Sequence, residues 1–318
     1  MTRYYLSLLI AAFLVAGTVL PCFAAQSEDV KEIGITYVKF PLNVPAIIAY
    51  KKNMFENEFK QDGITITRPE LTSGPKQTQA MAADSVQFAS VLGASSAIIA
   101  KSNGVDLKVI AVFARAPKAF NIMTANKSIK SIKDLKNKII AGPKGTVLHQ
   151  MLYAALLKDG LTPSDIKFVN MSIPQARAAL MSGNVSAALV AGPSVPDMEK
   201  GGCHVIANGE GLIQGLIVVA VNNNFLKKHR DLVKRYLDVT KKSAEFMKNN
   251  PEKTFEIVAK ETNLTVENVK KMFPWYDYSS AITDKDVKDL ETTQKFLLDN
   301  GMMKNKINIK DLISNIEP

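Results

Sequence analysis

The segment IIAGPKGTVLHQMLYAALLK, residues 139–158, shows the unit from which this fold is built. Ile139–Gly142 is a short apolar run, typical of a buried strand. A turn rich in glycine and proline follows, and from Thr146 the apolar residues recur at spacings of three and four, which predicts a helix that ends at Gly160. Strand, turn and helix in this order predict an α/β unit.

The same alternation continues through two thirds of the chain. The predicted strands are Ile35–Phe40, Ile64–Arg68, Val86–Val91, Leu107–Ala114, Phe120–Ala125, Ile139–Gly142, Ile166–Met171, Ala187–Ala191, Val205–Asn208 and Leu216–Val221. Continuous apolar strands that alternate with helices predict parallel sheets covered on both faces.

The chain changes character after Val221. Apolar residues at helical spacing predict helices at Phe225–Asn249, Pro251–Glu261, Val266–Met272 and Asp284–Asn300. A helical tail must cover a sheet formed earlier in the chain, so we expect strands from both ends of the sequence to share one sheet. The first lobe is therefore predicted to be discontinuous.

The N-terminus has the layout of a cleavable secretory signal. Arg3 precedes an apolar run from Tyr4 to Leu20, and small residues follow up to Ala25. We expect cleavage near Ala25 and a periplasmic or secreted protein. Lipid attachment at Cys22 is the alternative, and the preceding proline disfavours it.

The cysteine content and the length of the mature protein predict its disulfide bonds and its number of domains. Removal of residues 1–25 would leave about 293 of the 318 residues and Cys203 as the one cysteine, so no intramolecular disulfide is expected. This length exceeds one compact core and predicts two domains.

The chain is basic, with a net charge of +10 at pH 7. Such a field attracts anionic solutes or acidic surfaces, although lysines that merely solvate helix faces explain the charge equally well. The basic residues are spread along the chain and do not alternate with aromatic residues, so nucleic acid is not an expected partner.

Candidate binding residues lie in the turns that follow the predicted strands. Backbone N–H groups at a helix N-terminus and the carboxyl ends of strands are where an open α/β sheet binds anions. A single turn of this kind before a helix is usually only a helix cap, so the prediction rests on the whole set of turns. The candidates are Lys39, Phe40, Ser73, Gly74, Gly93, Ser95, Ser96, Arg115, Lys144, Gly145, Thr146, Pro193 and Ser194.

Catalytic and metal-binding patterns are absent from the sequence. There is no G-x-S-x-G or H-E-x-x-H, and His149, His204 and His229 lack the spacing of metal ligands. Neither a cofactor nor a metal is expected. Cys203 is interpreted as a small buried hydrophobic residue, and His149 as a helix residue that is either structural or faces the ligand.

An aromatic stretch, Phe273–Tyr278, lies between predicted tail helices and contains the single tryptophan, Trp275. It could form a wall of a ligand cleft or fix the tail to the sheet, and the sequence favours neither.

The order of several motifs resembles the solute-binding proteins of nitrate, taurine and aliphatic-sulfonate ABC transporters. Lys144–His149 is similar to the family's K-G-S-x-x-H, and Gln175–Val185 to its A-x-x-A-L-x-x-G-x-V. Further similar stretches are Val44–Phe55, Ser73–Ala83, Gly160–Ile166 and Asn224–Glu252.

The resemblance implies a two-lobed periplasmic-binding-protein fold of type II, in which two α/β lobes close on a ligand by a hinge. Mapped by the motifs, lobe one comprises residues 33–114 plus 222–318 and lobe two residues 118–215. The hinges are near residues 115–117 and 214–221. The resemblance also implies a monomer that captures a small solute for a transporter permease and ATPase. From the basic charge we expect this solute to be an anion.

Two other functions remain open at this stage. One is an enzyme on the same scaffold, a pyrimidine-precursor synthase, which the single mature cysteine and the secretory signal disfavour. The other is a sensory partner that presents its solute to a membrane receptor. The chain also has Ser186–Ala187 and Ala191–Gly192 where the family commonly has Asp-Ala and an aromatic residue, so the identity of the solute stays open.

Overall fold

The computed structural model describes residues 30–316. The predicted secretory signal, including Cys22, lies outside this range. Within it, no helix is both long and apolar enough to cross a bilayer.

The described part of the chain has ten strands, and nine of them overlap a predicted strand with ends shifted by a few residues. The strands are β1 Glu32–Gly34, β2 Thr65–Thr67, β3 Phe88–Gly93, β4 Leu107–Arg115, β5 Phe120–Thr124, β6 Ile139–Gly142, β7 Lys167–Asn170, β8 Ala187–Ala191, β9 His204–Asn208 and β10 Leu216–Asn222. The largest shift is in β1, which was predicted at Ile35–Phe40. Beyond Gly34 this segment pairs only through isolated bridges at Ile35 and Tyr37.

The strands divide into two lobes. The first lobe contains the pair β1–β2 and the sheet β3–β10–β4, which are joined by the bridge between Ile35 and Phe88. The second lobe contains one five-stranded sheet in the order β7–β6–β8–β5–β9. Strand β10, far along the chain, therefore lies between two early strands.

The sheets are mixed, whereas the sequence predicted parallel ones. β10 is antiparallel to both β3 and β4, and β5 is antiparallel to both β8 and β9. β5 and β10 are the strands next to the two passages between lobes, so each enters its sheet from the opposite end to the strands formed within that lobe.

Thirteen α-helices lie within residues 30–316. They are α1 Val44–Lys51, α2 Met54–Phe59, α3 Gly74–Ala82, α4 Ala94–Ser102, α5 Val147–Lys158, α6 Ile173–Met181, α7 Ser194–Lys200, α8 Asn223–Lys228, α9 Arg230–Asn249, α10 Pro251–Thr262, α11 Val266–Met272, α12 Asp284–Asp299 and α13 Ile309–Leu312. The helix predicted at Phe225–Asn249 is two helices, because His229 has a non-helical backbone (φ −133°, ψ 52°).

Helix α9 shows how the tail covers the first lobe. Its apolar face includes Tyr236, whose ring stacks on Phe88 of β3 with centroids 3.9 Å apart and on Phe55 of α2 with centroids 5.0 Å apart. All three side chains belong to the main hydrophobic core. The tail thus packs against strands formed more than a hundred residues earlier.

Two chain passages connect the lobes side by side. One leads from β4 through Ala116 and Pro117 into β5, and the other leads from Ile213 through Gly215 into β10. They are joined by a hydrogen bond from the Ala116 amide to the Gly215 carbonyl, 3.2 Å long.

Candidate functional site

The N-termini of α4 and α5 meet where the two lobes touch. A Cβ atom on Gly93, the residue before α4, would lie 2.9 Å from Cγ2 of Val147, the first residue of α5. Beside this contact, the Ser96 hydroxyl donates to the Gly145 carbonyl at 2.8 Å. We call these four residues and their neighbours in the two turns the interlobe seam. A larger residue at Gly93 would hold the lobes apart.

Two further contacts extend the closure of the lobes. Gly192 of the second lobe (φ +55°) lies so close to Pro41 of the first lobe that a Cβ would overlap the Pro41 carbonyl oxygen. On the other side, Gln150 Nε2 of α5 donates to Thr293 Oγ1 of α12 at 3.1 Å. The described lobes are therefore closed against each other.

The structure brings most of the predicted site residues to this seam. Gly74 packs directly on the Ser96 side chain, and Gly145 faces Pro75 and Ile99 across the lobes. The predicted residues at the seam are Ser73, Gly74, Gly93, Ser95, Ser96, Lys144, Gly145 and Thr146. Turns that are far apart in the sequence thus form one surface.

The remaining residues from the turns lie near the contact between Gly192 and Pro41. Pro193 and Ser194 follow Gly192 at the start of α7, and Lys39 and Phe40 directly precede Pro41. Phe40 is 41% exposed, with the Lys39 ammonium 5.9 Å from its ring centroid. These residues border the seam and are not at its centre.

Ser95 carries a buried hydroxyl group that is free to donate to a ligand. It lies in the first turn of α4 and is 0% exposed, yet its hydroxyl has no hydrogen-bond partner among the described residues. Buried hydroxyl groups are nearly always paired, because an unpaired one costs roughly 1–3 kcal/mol.

Electrostatics favour an anion at the same place. The first turns of two helices, one from each lobe, face each other across the seam, and each carries partial positive charge and unpaired N–H groups. Two like partial charges in contact repel, and a bound anion between them would remove that repulsion.

Arg115 lies at the end of β4, next to the passages between the lobes, and its guanidinium is occupied there. It donates to both carboxylate oxygens of Asp286, at 2.8 and 2.5 Å, and to Asp277 at 3.2 Å. It also donates to the carbonyls of Ser279 and Ala281. The structure therefore places Arg115 in a cluster of ion pairs beside the passages between the lobes, although the sequence suggested it for ligand binding.

The pKa values in this cluster agree with tight pairing. Burial pushes the pKa of Asp286 up, but hydrogen bonds from Arg115 and Thr283 outweigh burial and hold it below the usual value. The hydrogen bonds that Arg115 donates to Asp286 raise the pKa of Arg115. Nothing local in the sequence marked Asp277 or Asp286 as partners, since they lie more than 160 positions away from Arg115.

His149 lies beneath the turn between β6 and α5 and is 1% exposed. Its Nδ1 atom accepts a hydrogen bond from the Gly145 amide at 3.3 Å. Burial, with a smaller effect of the Lys144 charge, lowers the pKa of His149 to about 4. The imidazole is thus neutral at physiological pH. Its contact with the seam is the hydrogen bond from the backbone amide of Gly145.

The aromatic stretch fixes the tail to the edge of the first lobe's sheet. Backbone hydrogen bonds join Asp277 to Arg115 of β4 in both directions, at 2.8 and 2.9 Å. Tyr278 donates through its hydroxyl to the Leu42 carbonyl. On its outer side, Trp275 lines an open cavity of about 470 Å³ beside the passages between the lobes. A smaller cavity of about 60 Å³ lies inside the first lobe, under α1 and α9.

Two further features of the described range are the side chains that could bind a metal ion and the thiol of Cys203. No group of three or more His, Cys, Asp or Glu side chains in residues 30–316 could hold a metal ion. Cys203 is 5% exposed and packs in an apolar cluster of the second lobe, as expected, and burial raises the pKa of its thiol.

Comparison with known proteins places these features in a family. Residues 45–254 match the family model described as NMT1/THI5 like. A putative aliphatic sulfonates-binding protein of Bacillus subtilis (strain 168) is 30% identical over 321 residues, covering 99% of this chain and 95% of the relative. The taurine-binding periplasmic protein of Escherichia coli (strain K12) is 30% identical over 226 residues, covering 69% of this chain and 68% of the relative.

A solved structure shows the same architecture. The alkanesulfonate-binding protein of Xanthomonas axonopodis pv. citri, bound to MOPS, superposes with a TM-score of 0.82 at 21% identity. The alignment covers 90% of this chain and 99% of that protein, so the predicted two-lobed periplasmic-binding-protein fold is confirmed. With the family match over residues 45–254, these similarities show that the chain belongs to the NMT1/THI5 like family.

Proposed function

We propose that this protein is the solute-binding component of an ABC transporter and captures a small organic anion of the sulfonate or taurine class between its lobes. The main support is the seam, where two helix N-termini face each other beside the buried, unpartnered hydroxyl of Ser95. A sulfonate carries three acceptor oxygens and a full negative charge, so it suits both features. The names of the two 30%-identical relatives point to the same class of solute.

The mechanism consists of differential affinity for two arrangements of the lobes. A solute bound at the Ser95 turn of the first lobe and the Thr146 turn of the second contacts both lobes only when they are closed, so it stabilises the closed form. The permease and ATPase would then recognise the closed monomer. Residues 33–114 plus 222–318 would form lobe one and residues 118–215 lobe two. Hinges near residues 115–117 and 214–221 would allow the movement.

Arg115 is omitted from the proposed binding residues because its donors are used within the chain. Binding without catalysis is also part of the proposal. The buried Cys203 has a raised thiol pKa, which disfavours a nucleophile, and the relatives named above are binding proteins. We further propose a periplasmic location after removal of the N-terminal signal.

The test is a thermal-unfolding screen of the mature protein with taurine, alkanesulfonates, nitrate and dicarboxylates. A solute at a hundred times its dissociation constant stabilises the fold by about 2.7 kcal/mol, which raises the midpoint measurably. We expect a sulfonate to give this shift. No shift with any sulfonate, or a larger shift with another solute class, would contradict the proposed specificity.

The site is tested by Ser95→Ala, with Ser102→Ala at the far end of the same helix as the matched control. Loss of a hydrogen bond to a charged group costs about 1.5–3 kcal/mol, so S95A should weaken binding of the best sulfonate at least tenfold. S102A should bind as the wild type does. Equal affinities of the two variants in isothermal titration calorimetry would remove Ser95 from the site.

A further inference from the structure

The turn Gly142–Thr146 is held in place from inside the second lobe. Two successive amides donate to side chains of this lobe: Lys144 N to Asn170 Oδ1 at 2.9 Å, and Gly145 N to His149 Nδ1 at 3.3 Å. These two N–H groups are therefore used before any solute arrives. Their partners fix the orientation of the turn.

The same residue, Gly145, makes the hydrogen bond between the lobes. Its carbonyl accepts from the Ser96 hydroxyl of the first lobe at 2.8 Å. Because His149 holds the peptide unit that precedes the Gly145 Cα atom, it fixes where Gly145 lies relative to α5. A chain of contacts thus runs from His149 through Gly145 to Ser96.

The surroundings of His149 indicate that packing alone does not account for a histidine at this position. Its ring stacks on Phe168, with centroids 4.5 Å apart, and meets Tyr153 edge-on at 4.4 Å. Since Nδ1 accepts a hydrogen bond, the proton of the neutral ring is on Nε2, and Nε2 is buried with no partner among the described residues. A phenylalanine would fit the same aromatic site without an unpaired N–H group, so packing alone disfavours histidine here.

We propose that His149 is a positioning residue for lobe closure: its Nδ1 atom holds the Lys144–Gly145 peptide unit and so keeps Gly145 at the place where its carbonyl accepts from the Ser96 hydroxyl. This inference rests on the proposed function, because closure matters to a protein that captures a solute between its lobes. His149 does not touch the solute in this arrangement. It raises the population of the binding-competent form, which raises the apparent affinity in proportion.

The test uses two substitutions that separate the acceptor from the ring. His149→Phe keeps the stacking on Phe168 and removes the acceptor, whereas His149→Asn places an amide oxygen where Nδ1 was and removes the ring. We expect H149F to retain its thermal midpoint but bind taurine about fivefold to tenfold more weakly, as one net hydrogen bond implies. We expect H149N to lose thermal stability but keep most of the affinity. A purely structural role of His149 predicts that affinity falls with stability, so that H149N binds taurine more weakly than H149F. This order of affinities would overturn the proposal.

Ser96→Ala completes the experiment as a double-mutant cycle. Because His149 acts through the bond that Ser96 makes, S96A and the double variant S96A/H149F should bind taurine as weakly as H149F alone. If the loss of affinity in the double variant is instead the product of the losses in the two single variants, the proposal is overturned. Wild-type affinity of S96A also overturns it, and that result can be read even if H149F does not fold.

A measurement without solute keeps this inference separate from the proposed function. Spin labels at Gln79→Cys and Lys167→Cys, two exposed positions on opposite lobes, report the distance between lobes, and the buried Cys203 stays unlabelled. H149F and S96A should each shift the pulsed-EPR distance distribution of the unliganded protein toward longer distances. An unchanged distribution overturns the inference. Failure of every sulfonate to bind would overturn only the proposed function.

Discussion

Arg115 is the residue that joins three segments beside the passages between the lobes. Its guanidinium joins the end of β4 to the aromatic stretch and to the first turn of α12, through Asp277 and Asp286. The Asp286 side chain is 1% exposed, so its charge has no access to water and is compensated by this one cation and by Thr283. Breaking a buried pair of this kind costs more than the pair contributes, because one charge stays buried and unpaired.

We predict that Arg115→Ala lowers the free energy of unfolding by about 3 kcal/mol. Arg115→Lys should also destabilise, since an ammonium cannot reproduce the two-pronged contact with Asp286. Urea unfolding measures both effects. The matched control is Lys118→Ala, which removes an exposed ion pair with Glu210 and should change stability by less than about 0.5 kcal/mol. A loss below 1 kcal/mol in R115A would contradict the role given to this cluster.

Helix α9 is the element that ties the tail to the first lobe. It has twenty residues and one apolar face, from which Tyr236 stacks on Phe88 and Phe55. Tyr236 is 1% exposed and among the largest fully buried side chains in the described range. The contact is provided by the aromatic ring, so shape and area determine its contribution.

We predict that Tyr236→Ala lowers the free energy of unfolding by about 4 kcal/mol, because it removes a buried ring and leaves a cavity. Tyr236→Phe keeps the ring and should stay within about 1 kcal/mol of the wild type. Both values come from chemical denaturation followed by circular dichroism. Similar losses in the two variants would show that the hydroxyl, and not the ring, provides the stabilisation.

The pH dependence of stability is a property of the whole molecule, because the buried His149 and the half-buried Asp289 change the free energy of unfolding in opposite directions. Burial and Lys144 lower the pKa of His149 to about 4, so the unfolded chain takes up a proton near pH 6.5 while the folded protein stays neutral. Burial and the nearby Asp286 raise the pKa of Asp289 to about 6, so the folded protein binds this proton more tightly than the unfolded chain does. As the pH falls, His149 therefore destabilises the fold and Asp289 stabilises it.

We predict that the difference in stability between H149F and the wild type changes as the pH falls from about 6.5 to about 4. Over this range the wild type should lose on the order of 3 kcal/mol relative to H149F. Denaturant titrations at several pH values measure this difference. A constant difference would show that His149 is protonated in the fold as easily as in the unfolded chain.

Asp289→Asn tests the second group, whose effect on stability changes with pH in the opposite direction to that of His149. It should stabilise the protein by about 1 kcal/mol above pH 6, after discounting for the partial exposure of Asp289, and the gain should vanish near pH 4. A gain that grows toward low pH would contradict the raised pKa.

The sequence by itself determined the elements. The periodicity of apolar residues and the turn residues act within a few neighbours along the chain, so nine of the ten strands and the helical tail could be predicted. The turns that meet at the seam could also be named, because glycine, proline and serine ahead of a helix have a local meaning.

Only the tertiary structure decided how these elements meet. It placed β10 between β3 and β4, paired Arg115 with Asp286, joined Gly145 to Ser96 and left the Ser95 hydroxyl buried without a partner. Each of these features depends on groups that are distant in the sequence, or on an environment assembled from several segments. Local patterns carry no information on such distances, because a hydrogen bond or ion pair forms only after the packing of whole lobes has brought its two groups together.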